Sequence, residues 1–410
     1  MLRIFLKKWV FLLVIIVFDL IIGLKTSVQF FFFFFWLLVS LISCSLLCLA
    51  VEYFAVNLCL SRRANSRAVE DDMLEIETEI RNRWLLPVFN IVIEENLSCA
   101  LPEERNKRLL IEYLGARSFL KVKYSCLCFR RGRYKIGPLT VFFFDPCGIF
   151  FFKKIYDIYS DIYVYPKTFN IQKFPPLAKG ALPWFGIDTT RASGDEDEFF
   201  GIREYKDGDP IKKIHWISTA RKNRLIVKEF QRQSFYRATV IFNLEKEKNF
   251  GAGKNNITEY IIKIAASTAK YLIERGVSLE IIAHAGEIVH MPFNKGPEYL
   301  EDILRFLAIA QAESRVSLGE IFQEFSRYIL NDSTLIVIMT DEDYRHIPAI
   351  LSLENRNVSL VPLILVAPTF LYPFDVQKII EEARLKFSKL FNFNPNFISC
   401  GDNLEKVFAK

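Results

Sequence analysis

Two long apolar runs open the chain, and after them the hydrophobic pattern shortens and begins to alternate. Trp9–Leu24 is apolar except for Asp19 and Gly23, and Phe30–Val51 follows after the break Lys25–Gln29. At 1.5 Å per helical residue the second run reaches about 33 Å, enough for the hydrocarbon core, and the first about 24 Å. The pattern predicts a membrane hairpin whose first span tilts, thins the bilayer or keeps Asp19 near an interface. A cleaved signal is the rival reading, but no small-residue cleavage pattern follows the first run, and a second apolar run does. Met73–Ile80 then alternates apolar and acidic residues, the period-two signature of a half-buried strand, and Val88–Glu94, Phe119–Phe129, Thr140–Phe144 and Asp161–Tyr165 read similarly. Such a series of short strands predicts a small antiparallel sandwich. Arg130–Pro138 and Asp145–Phe150 read as turns, from their glycines and prolines.

Residues 171–192, with Pro175, Pro176, Gly180 and Pro183, read as an extended linker. Beyond residue 237 apolar strands alternate with helical patterns. Ala238–Leu244, Ser278–Ala283, Thr334–Met339 and Val358–Val366 read as strands. Ile257–Arg275, Tyr299–Ala310, Leu318–Leu330, Ile347–Glu354 and Val376–Phe387 read as helices. This alternation predicts a parallel sheet covered on both faces, with ligands expected beyond the strand C-termini. The expected fold class is therefore a membrane-anchored α+β multidomain chain: a transmembrane hairpin (1–62), a β-sandwich (64–170), a linker with a charged segment (171–236) and a doubly wound α/β domain (237–410).

Composition changes this picture little. Hydrophobic residues make up 51% of the 410, net charge is +6 and mean hydropathy +0.18. The mild basic bias suits an anionic membrane surface and gives no reason to expect a nucleic-acid partner. Arg3, Lys7 and Lys8 flank one end of the hairpin and Arg62, Arg63 and Arg67 the other, which places both ends and all that follows on the cytoplasmic side of the cell membrane. The basic run Arg130, Arg131 and Arg133 reads as a solvated loop, with lipid headgroups as the alternative partner. None of the eight cysteines forms a CxxC pair, and reduced structural thiols are expected, with Cys126 and Cys128 on one strand face.

Chemistry concentrates in Ser193–Phe230. Acids come first (Asp195 to Glu198, Glu204, Asp207, Asp209) and bases follow (Lys212, Lys213, Arg221, Lys222, Arg224, Lys228), with His215-Trp216 at the change of sign. Arg203 and Arg221 are of the type that clamps carboxylates such as Glu198 or Asp209 bidentately, and Trp216 suits packing under a guanidinium. An internal ion-pair network and a partner-docking surface are both consistent with these residues. Catalysis by Asp209 and His215 is a weaker reading, because nothing in sequence orients the histidine. Gly251-Ala-Gly253-Lys254 lacks P-loop spacing, and the four histidines are scattered, so no cofactor is expected.

The elements Glu198-Phe199, Arg203-Glu204-Tyr205, Gly208-Asp209, Ile214-His215-Trp216, Ser218-Thr-Ala-Arg221 and Leu225-Ile-Val-Lys228-Glu229 resemble the signature of the domain-of-unknown-function-fifty-eight family, with Thr219 as an extra residue. The resemblance implies no reaction. It implies a membrane-tethered, non-enzymatic adaptor or assembly factor that works with a MoxR-type AAA+ ATPase and von Willebrand factor A proteins. Its docking residues would be Glu198, Arg203, Tyr205, Asp209, Trp216, Ser218, Arg221 and Lys228; a hydrolytic enzyme of unknown substrate is the alternative. The C-terminal part also resembles a von Willebrand factor A domain, whose metal site needs Asp-x-Ser-x-Ser after the first strand. Here Asn243-Leu-Glu245-Lys-Glu247 stands at that place, with Asp341 after a later strand, so a degenerate site without metal is expected.

Overall fold

The computed structural model describes residues 2–26, 28–145, 148, 150–172, 193–206, 209, 211–231, 237–330, 333–356, 358–371, 376–388 and 395–408. The chain divides into two compact units, residues 1–167 with 304–309, and residues 168–303 with 310–410.

In the first unit, α1 (Leu2–Thr26) and α2 (Gln29–Ala55) run side by side. They approach closely at Gly23, where an added Cβ would meet the Phe32 ring at 3.4 Å. Among the described residues, Gln29–Phe54 is the stretch long and apolar enough to cross a membrane. Ten strands follow: β1 (Leu58–Ala64), β2 (Arg67–Val69), β3 (Met73–Asn82), β4 (Val88–Asn96), β5 (Asn106–Leu114), β6 (Phe119–Leu127), β7 (Gly132–Ile136), β8 (Leu139–Phe144), β9 (Phe151–Tyr156) and β10 (Ser160–Tyr165). They form sheets ordered β5-β4-β8-β9, β1-β3-β6 and β2-β10-β7. The alternation read from Met73–Ile80 is real: along β3, Leu74, Ile76, Thr78, Ile80 and Asn82 are buried. Ile80 and Leu60 meet Ile91, Ile93, Val141 and Phe143 in one core, and Ile76, Cys126, Ile136 and Val164 share another.

The turn at Asp145–Phe150 is present, the Gly148 amide donating to the Asp145 carbonyl, but the other turn assignment changes. Arg130–Pro138 carries the strand β7 and turns only at Gly137, whose φ of 114° and approach to the Ile158 carbonyl leave no room for a Cβ. Arg131 is no solvated base; it is 8% exposed. Arg62, expected as a membrane-flanking charge, is likewise inside. Its guanidinium pairs with the Glu95 carboxylate, both side chains at 0% exposure, and donates to the carbonyls of Ile136 and Ile158. The buried thiols are free, and Cys99 joins the pair expected, its Sγ 3.9 Å from that of Cys126.

The second unit begins with β11 (Ser193–Glu204), α3 (Trp216–Lys222) and β12 (Ile226–Gln231); the linker expected at 171–192 lies almost wholly outside the described residues. Then come β13 (Arg237–Asn243), the short pair β14 (Gly251–Ala252) and β15 (Asn255–Asn256), α4 (Ile257–Glu274), β16 (Ser278–His284), β17 (Ile288–Asn294) and α5 (Pro297–Ile309), whose residues from Leu304 on are counted with the first unit. The chain ends with α6 (Leu318–Phe325), β18 (Thr334–Thr340), α7 (Ile347–Leu351), β19 (Ser359–Leu365), α8 (Pro368–Leu371), α9 (Val376–Ser388), β20 (Asn396–Ile398) and α10 (Leu404–Val407).

The sheet order is β17-β16-β13-β18-β19-β20, parallel except for β17. Counted from β13 this is the doubly wound order 3-2-1-4-5-6, with its switch point between β13 and β18. β17 was missed because its polar-alternating IVHMPFN is half-exposed, as an edge strand should be. The helices expected to run to Leu330 and Glu354 stop at Phe325 and Leu351, the second giving way to a 3-10 turn. α4 is capped by Asn256, whose Oδ1 accepts from the Glu259 amide at 2.7 Å.

Candidate functional site

The signature residues form a small hairpin module. β11 and β12 pair antiparallel, with Ile202 opposite Lys228, Arg203 opposite Val227 and Glu204 opposite Ile226. Strand pairing here sets the acidic half of the segment beside the basic half, an arrangement that charge order alone does not reveal. The ladder is irregular between Phe199 and Gly201, just beyond Glu198, which lies on β11 opposite Gln231.

Arg203 clamps Asp209 through two parallel bonds of 2.7 Å, Nη1 to Oδ2 and Nη2 to Oδ1. Asp209 Oδ2 also accepts the Lys206 amide at 2.9 Å, so the carboxylate pins the turn leaving β11. These donors, the Arg203 guanidinium foremost, hold the Asp209 carboxyl down at about 2. Tyr205 takes part through its backbone, its amide donating to the Leu225 carbonyl. His215 is a helix cap: Nδ1 lies 2.7 Å from the Ser218 hydroxyl and its amide donates to Ile226. Thr219, the residue extra to the signature, accepts the Ile226 amide on its Oγ1 at 3.1 Å. Asn223, with φ of 54°, ends α3 in the left-handed conformation that asparagine tolerates.

All eight residues expected as a docking set have a described position, Glu198 by its place on β11, and the other seven divide. Arg203, Asp209, Ser218 and the Tyr205 backbone hold the module's shape. Trp216 is 63% exposed, Arg221 lies exposed in the last turn of α3, and Lys228 is half-buried on β12. The expected Arg221 clamp and the guanidinium over Trp216 do not form among the described residues. Asp209 and His215 serve different ends of the turn, and among the described residues no hydrogen bond joins them. Because the folded carboxyl titrates below its unfolded value of about 3.9, its contribution to the module is complete above that value and is lost as pH falls through about 2. Asp209→Asn is expected to raise hydrogen exchange at the Lys206 and Tyr205 amides at neutral pH while leaving β13 protected.

A second cluster sits at the switch point. A narrow crevice there, with room for about one water molecule, is lined by Asn243, Glu245, Lys248, Thr258, Thr340 and Asp343 among others. Lys248 Nζ bridges Glu245 Oε2 at 2.7 Å and Asp343 Oδ1 at 2.6 Å. Asp343 Oδ2 meanwhile accepts from the amide and hydroxyl of Thr340. Burial pulls the Lys248 pKa down, but Asp343 and Glu245 outweigh it and hold the ammonium charged. Asn243 donates to the Val316 carbonyl at 2.6 Å.

Of the residues expected around a degenerate metal site, Glu245 and Asn243 reach the crevice. Asp341 does not line it; it accepts the Ala367 amide at 2.8 Å, and burial raises its carboxyl. Glu247 does not line it either. Sequence reading missed Lys248 and Asp343, although Thr340-x-x-Asp343 is a visible capping signature. No group of three or more metal-binding side chains occurs among the described residues. His284 and His290 lie on the paired strands β16 and β17, and His290 Nε2 meets the buried Glu280 at 2.8 Å.

Residues 201–357 match the family described as "Protein of unknown function DUF58". The uncharacterized protein YeaD of Bacillus subtilis is 20% identical over 254 residues, 59% of this chain and 60% of that protein, so the chain spans well under two thirds of its length. The CARDB domain of the Pyrococcus furiosus protein PF1109 covers 27% of this chain at 13% identity and a TM-score of 0.19, with 93% of its own length aligned. The putative ApaA protein of Bordetella pertussis covers 27% at 15% identity, 94% of its own length and a TM-score of 0.19. The stretch that resembles DUF58 thus takes in α3, β12 and the sheet strands β13, β16, β17 and β18.

Proposed function

We propose that the protein is a membrane-tethered, non-enzymatic adaptor or assembly factor whose signature module docks a protein partner. The observation that carries this reading is α3, a helix with no buried residue, capped by His215 and following the turn that the Arg203–Asp209 clamp pins. Trp216, Ile217 and Ile211 are 63%, 64% and 71% exposed on this module, with Arg221 and Lys222 beside them. An exposed tryptophan and isoleucines ringed by cations are the composition of an interaction hot spot. A MoxR-type AAA+ ATPase is the partner that the family resemblance implies, with von Willebrand factor A proteins in the same assembly. The second unit's strand order and central switch point support a von Willebrand factor A-like fold in which Lys248 takes the place of a metal.

The two opening helices form the membrane anchor in this reading, α2 crossing fully and α1 returning beside it. Arg3, Lys7, Lys8, Arg63 and Arg67 keep both ends and the folded units cytoplasmic; Arg62, being buried, does not take part in that bias. Trp216→Ala with Ile217→Ser removes the two apolar anchors on α3 without touching the clamp or cap. Crosslinking and affinity recovery of the full chain from membranes is expected to lose its principal partner about tenfold or more. The melting temperature should be unchanged, as for other exposed positions. Unaltered recovery would refute docking at this helix.

A further inference from the structure

We propose that the end of the first unit where α2 enters is itself a lipid contact, seated at the boundary of headgroups and acyl chains in the bilayer that α2 spans. The inference rests on the membrane reading of α2 given above.

Several strand ends converge there. The Arg83 amide donates to the carbonyl of Asn57, two residues beyond α2. The Asn82 side chain ties the Leu86 and Gly115 carbonyls together, and the Arg117 amide reaches Trp84. The loops at 83–87 and 115–118 thus lie at the point where the chain leaves the helix. On the same side Ser45 donates to the Asp145 carboxylate at the end of β8, and Tyr53 packs edge-on to Phe152 at 4.7 Å. Ser45 lies ten residues before the end of α2, a rise of about 15 Å. This end of the β structure therefore lies alongside the last turns of the membrane helix.

Its surface has the chemistry of that depth. Leu85 (66%), Leu86 (53%), Phe89, Tyr113 (60%) and Phe119 are exposed, and Phe89 and Tyr113 face each other across β4 and β5 with ring centroids 5.3 Å apart. Arg83 and Arg117 stand among them, with Glu112 the nearby exposed acid on β5. Farther down the same strands the apolar row ends at the Arg108–Glu94 ion pair. Aromatic and aliphatic side chains with arginines at a membrane helix's exit are suited to the interface, where rings sit at headgroup level and guanidinium groups meet phosphate. In water the same cluster would be an uncovered apolar patch.

The test uses the full chain in vesicles of phosphatidylcholine with phosphatidylglycerol, carrying a photoreactive phenylalanine analogue at Leu85, Tyr113, Phe34 in α2, or Glu103 at the far end of β4 and β5. Lipid adducts at 85 and 113 about tenfold above those at 103 are expected, together with adducts at 34. Adducts at 34 with only the level of 103 at 85 and 113 would overturn the proposal and leave the membrane anchor standing. Adducts to a second protein at 85 and 113 would overturn it as well. Absence of lipid adducts at 34 would sink the anchor and this contact together.

Discussion

Arg62→Met is expected to lower the stability of the first unit by about 3–5 kcal/mol, the cost of leaving one member of a buried ion pair alone. Glu95 then sits at 0% exposure among strands with no cation, and the Ile136 and Ile158 carbonyls lose a donor. Glu95→Met should cost a similar amount by stranding the guanidinium. The double variant Arg62→Met, Glu95→Met is expected to recover most of the loss, because an apolar pair of similar volume removes both desolvation terms. Hydrogen exchange of the β1 and β4 amides in the full chain reads these changes locally. Additive losses in the double variant would show that the pair is not coupled.

The same pair has a pH signature. Burial pushes the Glu95 carboxyl up to about 7, with the Arg62 guanidinium pulling against it. A carboxyl whose folded pKa lies above its unfolded value of about 4.3 stabilises the fold fully below that value. The contribution is lost as pH rises through about 7. Protection of β4 is therefore expected to fall between pH 4.5 and 8, and this slope should vanish in the double methionine variant.

Lys248→Met is the second large effect, expected to cost about 3 kcal/mol. Two carboxylates, Glu245 and Asp343, face one ammonium, and the Lys248 and Asp343 side chains are only 19% and 7% exposed. Without the cation they repel, and Asp343 is also the cap that starts the turn after β18. Adding Glu245→Gln to Lys248→Met should restore part of the stability, since one carboxylate then remains. Magnesium at millimolar concentration is expected to leave the melting of the native chain unchanged, because Lys248 already neutralises the acids. Tight magnesium binding abolished by Asp343→Ala would overturn that, and calorimetry would detect it.

These sites were unequally visible in the sequence. A run from Phe30 to Val51 without a charge has one stable conformation open to it in lipid or against a partner, a helix, and its length alone fixes that. Alternation in Met73–Ile80 determined which residues of β3 face inward, because strand side chains project with period two. The continuous apolar runs at Ala238, Ser278, Thr334 and Val358 announced central parallel strands. The signature supplied the family resemblance and singled out Arg203 and Asp209.

What the sequence could not supply was every partnership between residues far apart in the chain. Arg62 beside a membrane helix looks like an interfacial charge, and only the closing of β1 against the β4 sheet carries it to Glu95. Lys248 looks like one more surface lysine until β13 and β18 become neighbours and bring Asp343 to it. The acid-to-base order of the signature suggested a bipolar ribbon, yet a hairpin turn folds it on itself and leaves Trp216 outside. Local periodicity is set by backbone geometry within a few residues, so it can be read from the chain. Charge pairing and exposure depend on which distant elements meet, and the tertiary fold alone decides that.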